Sequence, residues 1–463
     1  MDYISEVKRI LSEKFNYQPR ANVVTFGCAQ NENDSEKIRG LLVQLGYSMT
    51  DSLEDSDIVI YNTCAIRENA ELKIFGNIGK LKALKAAKPD MLVAVCGCMV
   101  MQQHIVDKIK KSYPFVDIVF GVNNLEILPL LMFKKYMEGK KQILPPQEKT
   151  DIIENAPVLR SGKSKASISI MFGCDNFCSY CIVPYVRGRE RSRKPMDIYN
   201  EFKSLIESGY KDITLLGQNV NSYGKNLDEK IDFADLLQLL CTVPGEYVIH
   251  FMSSHPKDIS KKLIDVIRDN PQISRRIHLP VQAGNDRVLK EMNRRYTINQ
   301  YMDIINYAKQ QIADVSFSTD IIVGFPGETL EDFEETLKLV NECKFDGAFT
   351  FAFSARENTP ASYLEETVSE EEKLDRLHKL NEVINNYCNE ANKKLEGKVV
   401  KCLVTGVSEK DESKVCGYTE NMKLVNIIAS KEVIGKIIDV KITNAKSFSL
   451  DGEIVNNLEA INN

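Results

Sequence analysis

Cys174, Cys178 and Cys181 stand as C-x3-C-x2-C within the stretch Met171–Arg193, MFGCDNFCSYCIVPYVRGRERSR. Three thiolates this close in sequence can converge on one face of a metal cluster, and thiolate is the ligand that suits iron–sulfur chemistry. Three ligands for a four-iron cubane leave one iron open, so the arrangement can hold a substrate where a four-cysteine electron-transfer site cannot. A zinc knuckle would need a second Cys or His pair, and none lies near this segment.

A second set of cysteines follows from topology. In residues 21–138 short apolar runs alternate with amphipathic helical stretches, the pattern of an open parallel α/β sheet. Asn22–Phe26 leads to Gly27-Cys28, Asp57–Tyr61 to Asn62-Thr63-Cys64, and Met91–Val95 to Cys96-Gly97-Cys98. The carboxyl ends of parallel strands share one edge, where ligands bind, so Cys28, Cys64 and Cys98 are expected to meet there. Cys96 and Cys98 compete for the third place; Cys98, the one farther past the apolar run, is chosen, with Cys96 structural or accessory.

Composition is that of a globular protein, with 43% hydrophobic and 27% charged residues. At about 150 residues per domain the length suggests three domains. No apolar run reaches the ~20 residues of a membrane span, and the N-terminal stretch, with Ile4, Val7, Leu11 and Phe15 at helical spacing, is not a targeting peptide. Twelve cysteines in such a chain point to a reducing compartment, the cytoplasm. Net charge is −5, but the region from Asn155 to Pro195 is basic, so Arg187, Arg189, Arg191 and Arg193 can form a basic face beside the cysteine motif, a candidate to hold phosphates.

The positioning elements read as follows. Residues 1–20 form an amphipathic extension, 21–138 the first α/β domain, and 139–162, with Pro145-Pro146 and Pro157, a linker. Residues 163–394 resume strand–helix alternation, with strands at Ala166–Met171, Asp212–Leu216, Tyr247–Met252, Arg276–Leu279, Val315–Val323 and Gly347–Phe353. Six such units suggest a partial (β/α)6 barrel that opens at the carboxyl edge of its strands. A helix over residues 368–395, with Leu374, Leu377, Leu380, Ile384 and Tyr387 on its packing side, closes it or joins it to the tail. Residues 395–463 switch to short strands at Lys398–Val407, Leu424–Ile428 and Lys436–Ala445, a small β-barrel. From Gly397 onward nine lysines balance nine acids, so a grip on any polyanion by this tail would rest on placed contacts rather than net charge.

With Tyr180 just before its last cysteine, the central motif resembles the signature of the radical S-adenosylmethionine (SAM) enzymes. The segments TFGCAQNENDSEK, YNTCAIRENA and CGCMVMQ resemble the N-terminal domain of methylthiotransferases, and Asn62–Glu68 is closest to the MiaB type, the tRNA-2-methylthio-N6-dimethylallyladenosine synthases. The chain departs from that pattern at Cys28-Ala29-Gln30-Asn31, where Cys-Gln-Met-Asn is usual, and at Val100-Met101, where a small residue and Gln are usual. KVCGYTENMKLVNI in the tail resembles a TRAM domain, an RNA-binding barrel.

The resemblance implies two 4Fe-4S clusters. One, on Cys174, Cys178 and Cys181, would cleave SAM reductively to a 5′-deoxyadenosyl radical; an auxiliary one, on Cys28, Cys64 and Cys98, would hold the sulfur to be methylated and transferred. It implies insertion of methylthio at C2 of N6-isopentenyladenosine 37 in the anticodon loop of tRNA, with a flavodoxin or ferredoxin as electron donor and the sulfur donor undefined. It also makes Tyr180, Gln218, Asn219, Ser253, Gln282, Asp320 and Glu328 candidates for SAM or substrate contact, and Arg356 a partner for an anionic group. Sister enzymes that act on threonylcarbamoyladenosine in tRNA or on a ribosomal-protein aspartate differ after Asn-Thr-Cys. A non-catalytic iron–sulfur RNA-binding protein is the alternative outside enzymology, and it would release no 5′-deoxyadenosine.

Overall fold

The computed structural model describes residues 2–65, 68–147, 152, 154 and 156–455, with the side chains of residues 68–72 outside the description. It divides into two units. The first holds residues 1–161, 172–175 and 181–191, and the second residues 162–171, 176–180 and 192–463.

The first unit opens with the expected amphipathic helix, Tyr3–Lys14, capped by the Asp2 carboxylate, which accepts from Ile4 N at 3.1 Å. A six-stranded, all-parallel sheet follows: β1 (Arg20–Thr25), β2 (Ser48–Met49), β3 (Ile58–Thr63), β4 (Leu92–Gly97), β5 (Ile118–Gly121) and β6 (Gln142–Ile143), in the order β2-β1-β3-β4-β5-β6. Strands β3 and β4 are buried along their whole length, as expected when helices cover both faces of a parallel sheet. Alternate residues separate into two cores. Ile58, Ile60, Leu92, Ala94 and Cys96 pack with Val7, Leu11, Ile38 and Leu131, whereas Val59, Tyr61, Val93 and Val95 pack with Ile78, Ile105 and Ile109. The stretch read as a linker is not wholly one: Gln142–Ile143 closes the sheet edge against β5, a pairing too short for any period to reveal.

In the second unit β7 (Lys165–Ser169) precedes the cysteine loop, which two short strands, β8 (Met171–Phe172) and β9 (Arg191–Ser192), bracket in the chain. The strands β10 (Asp212–Leu216), β11 (Val248–Phe251), β12 (Arg276–His278), β13 (Ser316–Val323) and β14 (Gly347–Ala352) match the expected runs closely. They form two parallel three-stranded sheets, β11-β10-β7 and β12-β13-β14, instead of one continuous ladder. A single bridge, Ile249 to Ile273, stands in the gap. Ile168, Ile213, Ile249, Ile277, Phe317 and Ile321 point outward into the helix-covered core. Residues of opposite parity, among them His278, Ser318, Asp320, Phe349 and Phe351, line the inner face.

The closing helix, Glu370–Lys393, differs from its expected face. Leu374 is 50% exposed, while Lys373 and Arg376 are buried with Leu380, Ile384 and Cys388. The buried cations are paired, Lys373 with Glu366 and Glu370, Arg376 with Glu328 and Glu372, so the helix locks by charge at its first turns and by apolar packing beyond. The tail is a closed barrel of β15 (Val399–Ser408), β16 (Asp411–Thr419), β17 (Leu424–Ile427), β18 (Ile437–Ala445) and β19 (Leu450–Ile454), ordered β15-β16-β17-β19-β18. β16 and β19 are additional to the strands expected there. The tail rests on the amino ends of the barrel strands: Ser274 Oγ donates to Glu420 O at 2.8 Å, and Lys165 Nζ lies 3.8 Å from the centre of the Tyr418 ring. No helix among the described residues is long and apolar enough to cross a membrane.

Candidate functional site: two cysteine centres

In the first unit, Cys28, Cys64 and Cys98 come together just beyond the carboxyl ends of β1, β3 and β4. Cys28 is the N-cap of helix Ala29–Gln44. That helix start is tied to β3 by Asn31, which is fully buried. Asn31 Nδ2 donates to Asn62 Oδ1 (3.2 Å) and Thr63 O (3.0 Å), and Asn62 Nδ2 donates back to Asn31 O (2.8 Å). Two glycines make the approach possible. A Cβ on Gly27 (φ +143°) would stand 2.8 Å from Cys64 Cβ, and one on Gly97 (φ +109°) 2.1 Å from Thr63 O, so both positions favour glycine on space as well as on φ.

Cys98 N donates to Thr63 O at 2.8 Å, which places its side chain past the strand end in a shell of Ala65, Met101, Val122, Ile182 and Val186. Cys96 lies within β4 and is buried in the sheet core with Leu92 and Ala94, whereas the strand ends at Gly97 (φ +109°) and Cys98 takes helical backbone (φ −65°, ψ −32°), which turns it off that face. Burial pushes the Cys98 thiol up to about 12; the Arg187 guanidinium acts the other way, and Cys64, Asp34 and Cys28 oppose it. A thiol this desolvated ionises readily only when a metal supplies positive charge.

The central loop is held separately. Cys174 and Cys178 are buried and Cys181 half-buried. Within the first unit, Cys174 N donates to Gly188 O at 3.1 Å. Within the second, residues 176–180 are fastened by the turn after helix Asp286–Glu291. Asn293 Nδ2 donates to Phe177 O (2.9 Å), Ser179 N to Met292 O (3.0 Å) and Ser179 Oγ to Glu291 O (2.8 Å). Arg294, buried, donates through Nη1 to Cys178 Sγ (3.4 Å), through Nη2 to Pro280 O (2.8 Å) and through Nε to Tyr296 Oη (3.3 Å). Its Nη1 also reaches the Tyr180 hydroxyl at 3.5 Å. Tyr296 in turn donates to Val281 O and meets the His255 ring edge-on at 5.7 Å.

His255 is not the satisfied loop histidine that its place before Pro256 suggests. Its Nδ1 accepts from Lys257 N at 3.2 Å, which assigns the proton to Nε2, and that buried atom has no protein partner. Burial, reinforced by Arg294 and Lys257, drives its pKa far down, so the ring is neutral. Asn219 Oδ1, both polar side-chain atoms of Asn221 and Ser254 Oγ are likewise buried without partners, on the loops that follow β10 and β11. Buried polar atoms are normally paired, so this group has the chemistry of a site for a polar ligand.

The other residues singled out in the sequence divide. Ser253 (φ +67°) and Gln282 (φ +73°) adopt left-handed backbone at strand carboxyl ends, a strain that clusters at functional sites. Gln218 is half-buried in the loop after β10. Asp320 lies on the inner face, 3.4 Å from His278 Nε2. Glu328 is engaged within the fold: its Oε2 accepts from Gly324 N (2.6 Å) and Arg376 Nη1 (2.6 Å), so it locks a turn instead of reaching into the strand-end loops. Arg187 and Arg193 are corrected. Both are buried, Arg187 on Asp34 (2.9 Å) and Arg193 on Glu201 (2.7 Å), which takes them from any phosphate; Arg189 is exposed and Arg191 half-buried. Within Ala65–Glu68, Ile66 and Arg67 lie outside the described residues. Arg294 and Asp34 escaped the sequence reading, because each meets its cysteine or arginine across more than a hundred residues with no local pattern.

Among the described residues no three His, Cys, Asp or Glu groups close around a single ion. A cubane has no such requirement, since each thiolate binds a different iron, and the all-thiol donor set with N–H donors aimed at sulfur fits an iron–sulfur cluster.

Three family models match the chain: the Radical SAM superfamily over residues 168–340, the Uncharacterized protein family UPF0004 over 20–121 and the TRAM domain over 393–455. The tRNA-2-methylthio-N(6)-dimethylallyladenosine synthase of Clostridium tetani is 50% identical over 449 residues, covering 97% of this chain and 99% of the relative. That of Clostridium botulinum (strain Loch Maree) is 51% identical over 432 residues, 93% of this chain and 96% of the relative. Among solved structures the radical S-adenosylmethionine methyltransferase TsrM from Kitasatospora setae aligns with a TM-score of 0.54 over 75% of this chain and 77% of its own, at 14% identity, a likeness of fold alone. With half its residues shared along nearly its whole length, the chain belongs to the family of tRNA-2-methylthio-N(6)-dimethylallyladenosine synthases.

Proposed function

We infer that the protein inserts a methylthio group at C2 of N6-isopentenyladenosine 37 in tRNA, with SAM as both methyl donor and radical source. Identity of about half over the full length of named synthases carries this reading, and two sets of three cysteines agree with it. The C2–H bond is neither acidic nor attached to a leaving group, so general acid–base chemistry does not reach it. When bound, the clusters supply reductive cleavage of SAM at one centre and sulfur at the other.

The chain's own residues bind and orient. Cys174, Cys178 and Cys181 would hold the SAM-cleaving cluster, and Arg294 steadies Cys178. Cys28, Cys64 and Cys98 would hold the auxiliary one. Asn219, Asn221, Ser254 and His255 offer buried polar atoms to SAM or substrate, alongside Gln218, Ser253 and Gln282 at the same strand edge and Tyr180 on the loop. Arg189 and Arg191 are the arginines that support phosphate contact, and the target base must leave its stack to reach the centre. A flavodoxin or ferredoxin is the electron donor this reading calls for, in a cytoplasmic setting.

The test is mass spectrometry of tRNA nucleosides from cells with and without the gene. Loss of 2-methylthio-isopentenyladenosine with accumulation of isopentenyladenosine is expected. Unchanged levels in a host lacking a second copy would sink the assignment.

A further inference from the structure

Arg187 ends a five-residue helix, Val183–Arg187, that begins two residues after Cys181. It is 5% exposed, although four arginines in seven residues led us to expect a phosphate contact. Its Nη2 donates to Asp34 Oδ2 at 2.9 Å, and the other Asp34 oxygen accepts from Gln30 Nε2 at 3.3 Å. Its Nε donates to Cys98 Sγ at 3.2 Å. A buried guanidinium requires compensation on each donating edge. Here Nη2 has a carboxylate and Nε has sulfur.

A neutral thiol is a weak acceptor, whereas a metal-bound thiolate is anionic and takes a charge-assisted bond well. The arginine is therefore matched to Cys98 as a ligand. The surrounding Ala65, Met101, Val122, Ile182 and Val186 keep water away and preserve the reach of its charge. Asp34 holds Nη2, so the neighbouring Nε–H stays aimed at sulfur.

We propose that Arg187 is a positioning residue that sets the reduction potential of the cluster on Cys28, Cys64 and Cys98, through its N–H bond to Cys98 Sγ and its buried positive charge. The inference rests on the auxiliary-cluster reading above. One-electron reduction by an external donor adds negative charge to the cluster and its sulfurs. A cation and an N–H donor at Cys98 stabilise that reduced form more than the oxidised one and so raise the potential. The same segment then serves both centres, with Cys181 as a ligand of one and Arg187, six positions on, as the regulator of the other.

The test uses full-length protein with Cys174, Cys178 and Cys181 changed to Ala, reconstituted anaerobically with iron and sulfide, so that only the auxiliary cluster loads. Iron and sulfide content, melting temperature and an EPR-monitored dithionite titration are compared for Arg187, Arg187→Lys and Arg187→Met. A parent holding no cluster overturns the auxiliary reading itself, a different result from one in which the cluster loads and its potential is indifferent to Arg187. With the cluster present, Arg187→Met is expected to move the midpoint to a more negative value, and Arg187→Lys, which keeps the charge but loses the Nε–H, to move it less in the same direction. Unmoved midpoints in both loaded variants overturn the proposal. Where Arg187→Met fails to load, Arg187→Lys decides alone: a negative shift supports it and an unchanged midpoint overturns it.

Discussion

Cys64 follows the end of β3 and Cys181 closes the C-x3-C-x2-C motif, and their expected roles divide. Changing Cys181 to Ala should abolish SAM cleavage, while changing Cys64 to Ala should leave 5′-deoxyadenosine formation and stop sulfur insertion. Chromatography of both products from the same anaerobic reaction reads the difference, and equal loss of both activities in folded variants would count against two separate centres. His255 makes a second residue-scale case. Its neutral ring keeps an unpartnered Nε2–H in a buried pocket, so His255→Phe should keep the ring packing on Tyr296 and weaken SAM binding about tenfold, the worth of one buried hydrogen bond. The pH sign follows from burial. The unfolded chain protonates this ring near pH 6.5 and the folded chain does not, so its neutral burial stabilises the fold above that pH. The contribution falls by about 1.4 kcal/mol per pH unit as pH drops below it. Urea unfolding of wild type and His255→Phe between about pH 7 and 5 should show the steeper acid loss in wild type.

At the scale of elements, helix Glu370–Lys393 shows what a hydrophobic pattern leaves out. Leucines at 374, 377 and 380 read as one stripe, but the helix turns Leu374 to solvent and buries Lys373 and Arg376, because the Gly324–Glu328 turn offers a buried carboxylate for a cation to meet. Periodicity scores apolar residues and is blind to a cation whose partner lies 48 positions away. Arg376→Met should strand Glu328 in the interior and cost about 3 kcal/mol, measured by chemical denaturation; a loss below about 1 kcal/mol would mean that the pair is marginal. The cysteine-bearing strand ends were more legible. Which of Cys96 and Cys98 leaves the sheet is decided by the break in the strand at Gly97 (φ +109°), because the two cysteines share a strand parity and only Cys98 lies beyond the ladder.

For the molecule as a whole, the second unit sets its tail barrel at the amino ends of strands whose carboxyl ends carry the residue 176–180 loop and the unpartnered polar group. β7, with five residues, and β13, with eight, separate these edges by roughly 20 Å. An RNA that touches both must be an arm rather than a lone nucleoside, in keeping with tRNA as the substrate. The tail carries balanced charge, so its grip should depend weakly on salt and more on contacts such as Phe448, 78% exposed between β18 and β19. Phe448→Ala should weaken tRNA affinity about tenfold if a base stacks there, with SAM cleavage intact. Filter binding at two salt concentrations checks both statements, and an unchanged affinity would remove Phe448 from the interface.

Local order in the chain was enough to establish the three-part architecture, most strands of its sheets and which cysteines stand at strand ends, because each of these is written in periods of two residues, in helical spacing or in motifs a few residues long. Only the tertiary structure decided what fills the second position of each long-range pair. Arg187 meets Cys98 and Asp34, Arg294 meets Cys178, and Glu328 meets Arg376. A charged residue has the same local pattern whether it faces a phosphate, a sulfur or a buried carboxylate. Burial and the partner brought to it by the fold determine which of these it does.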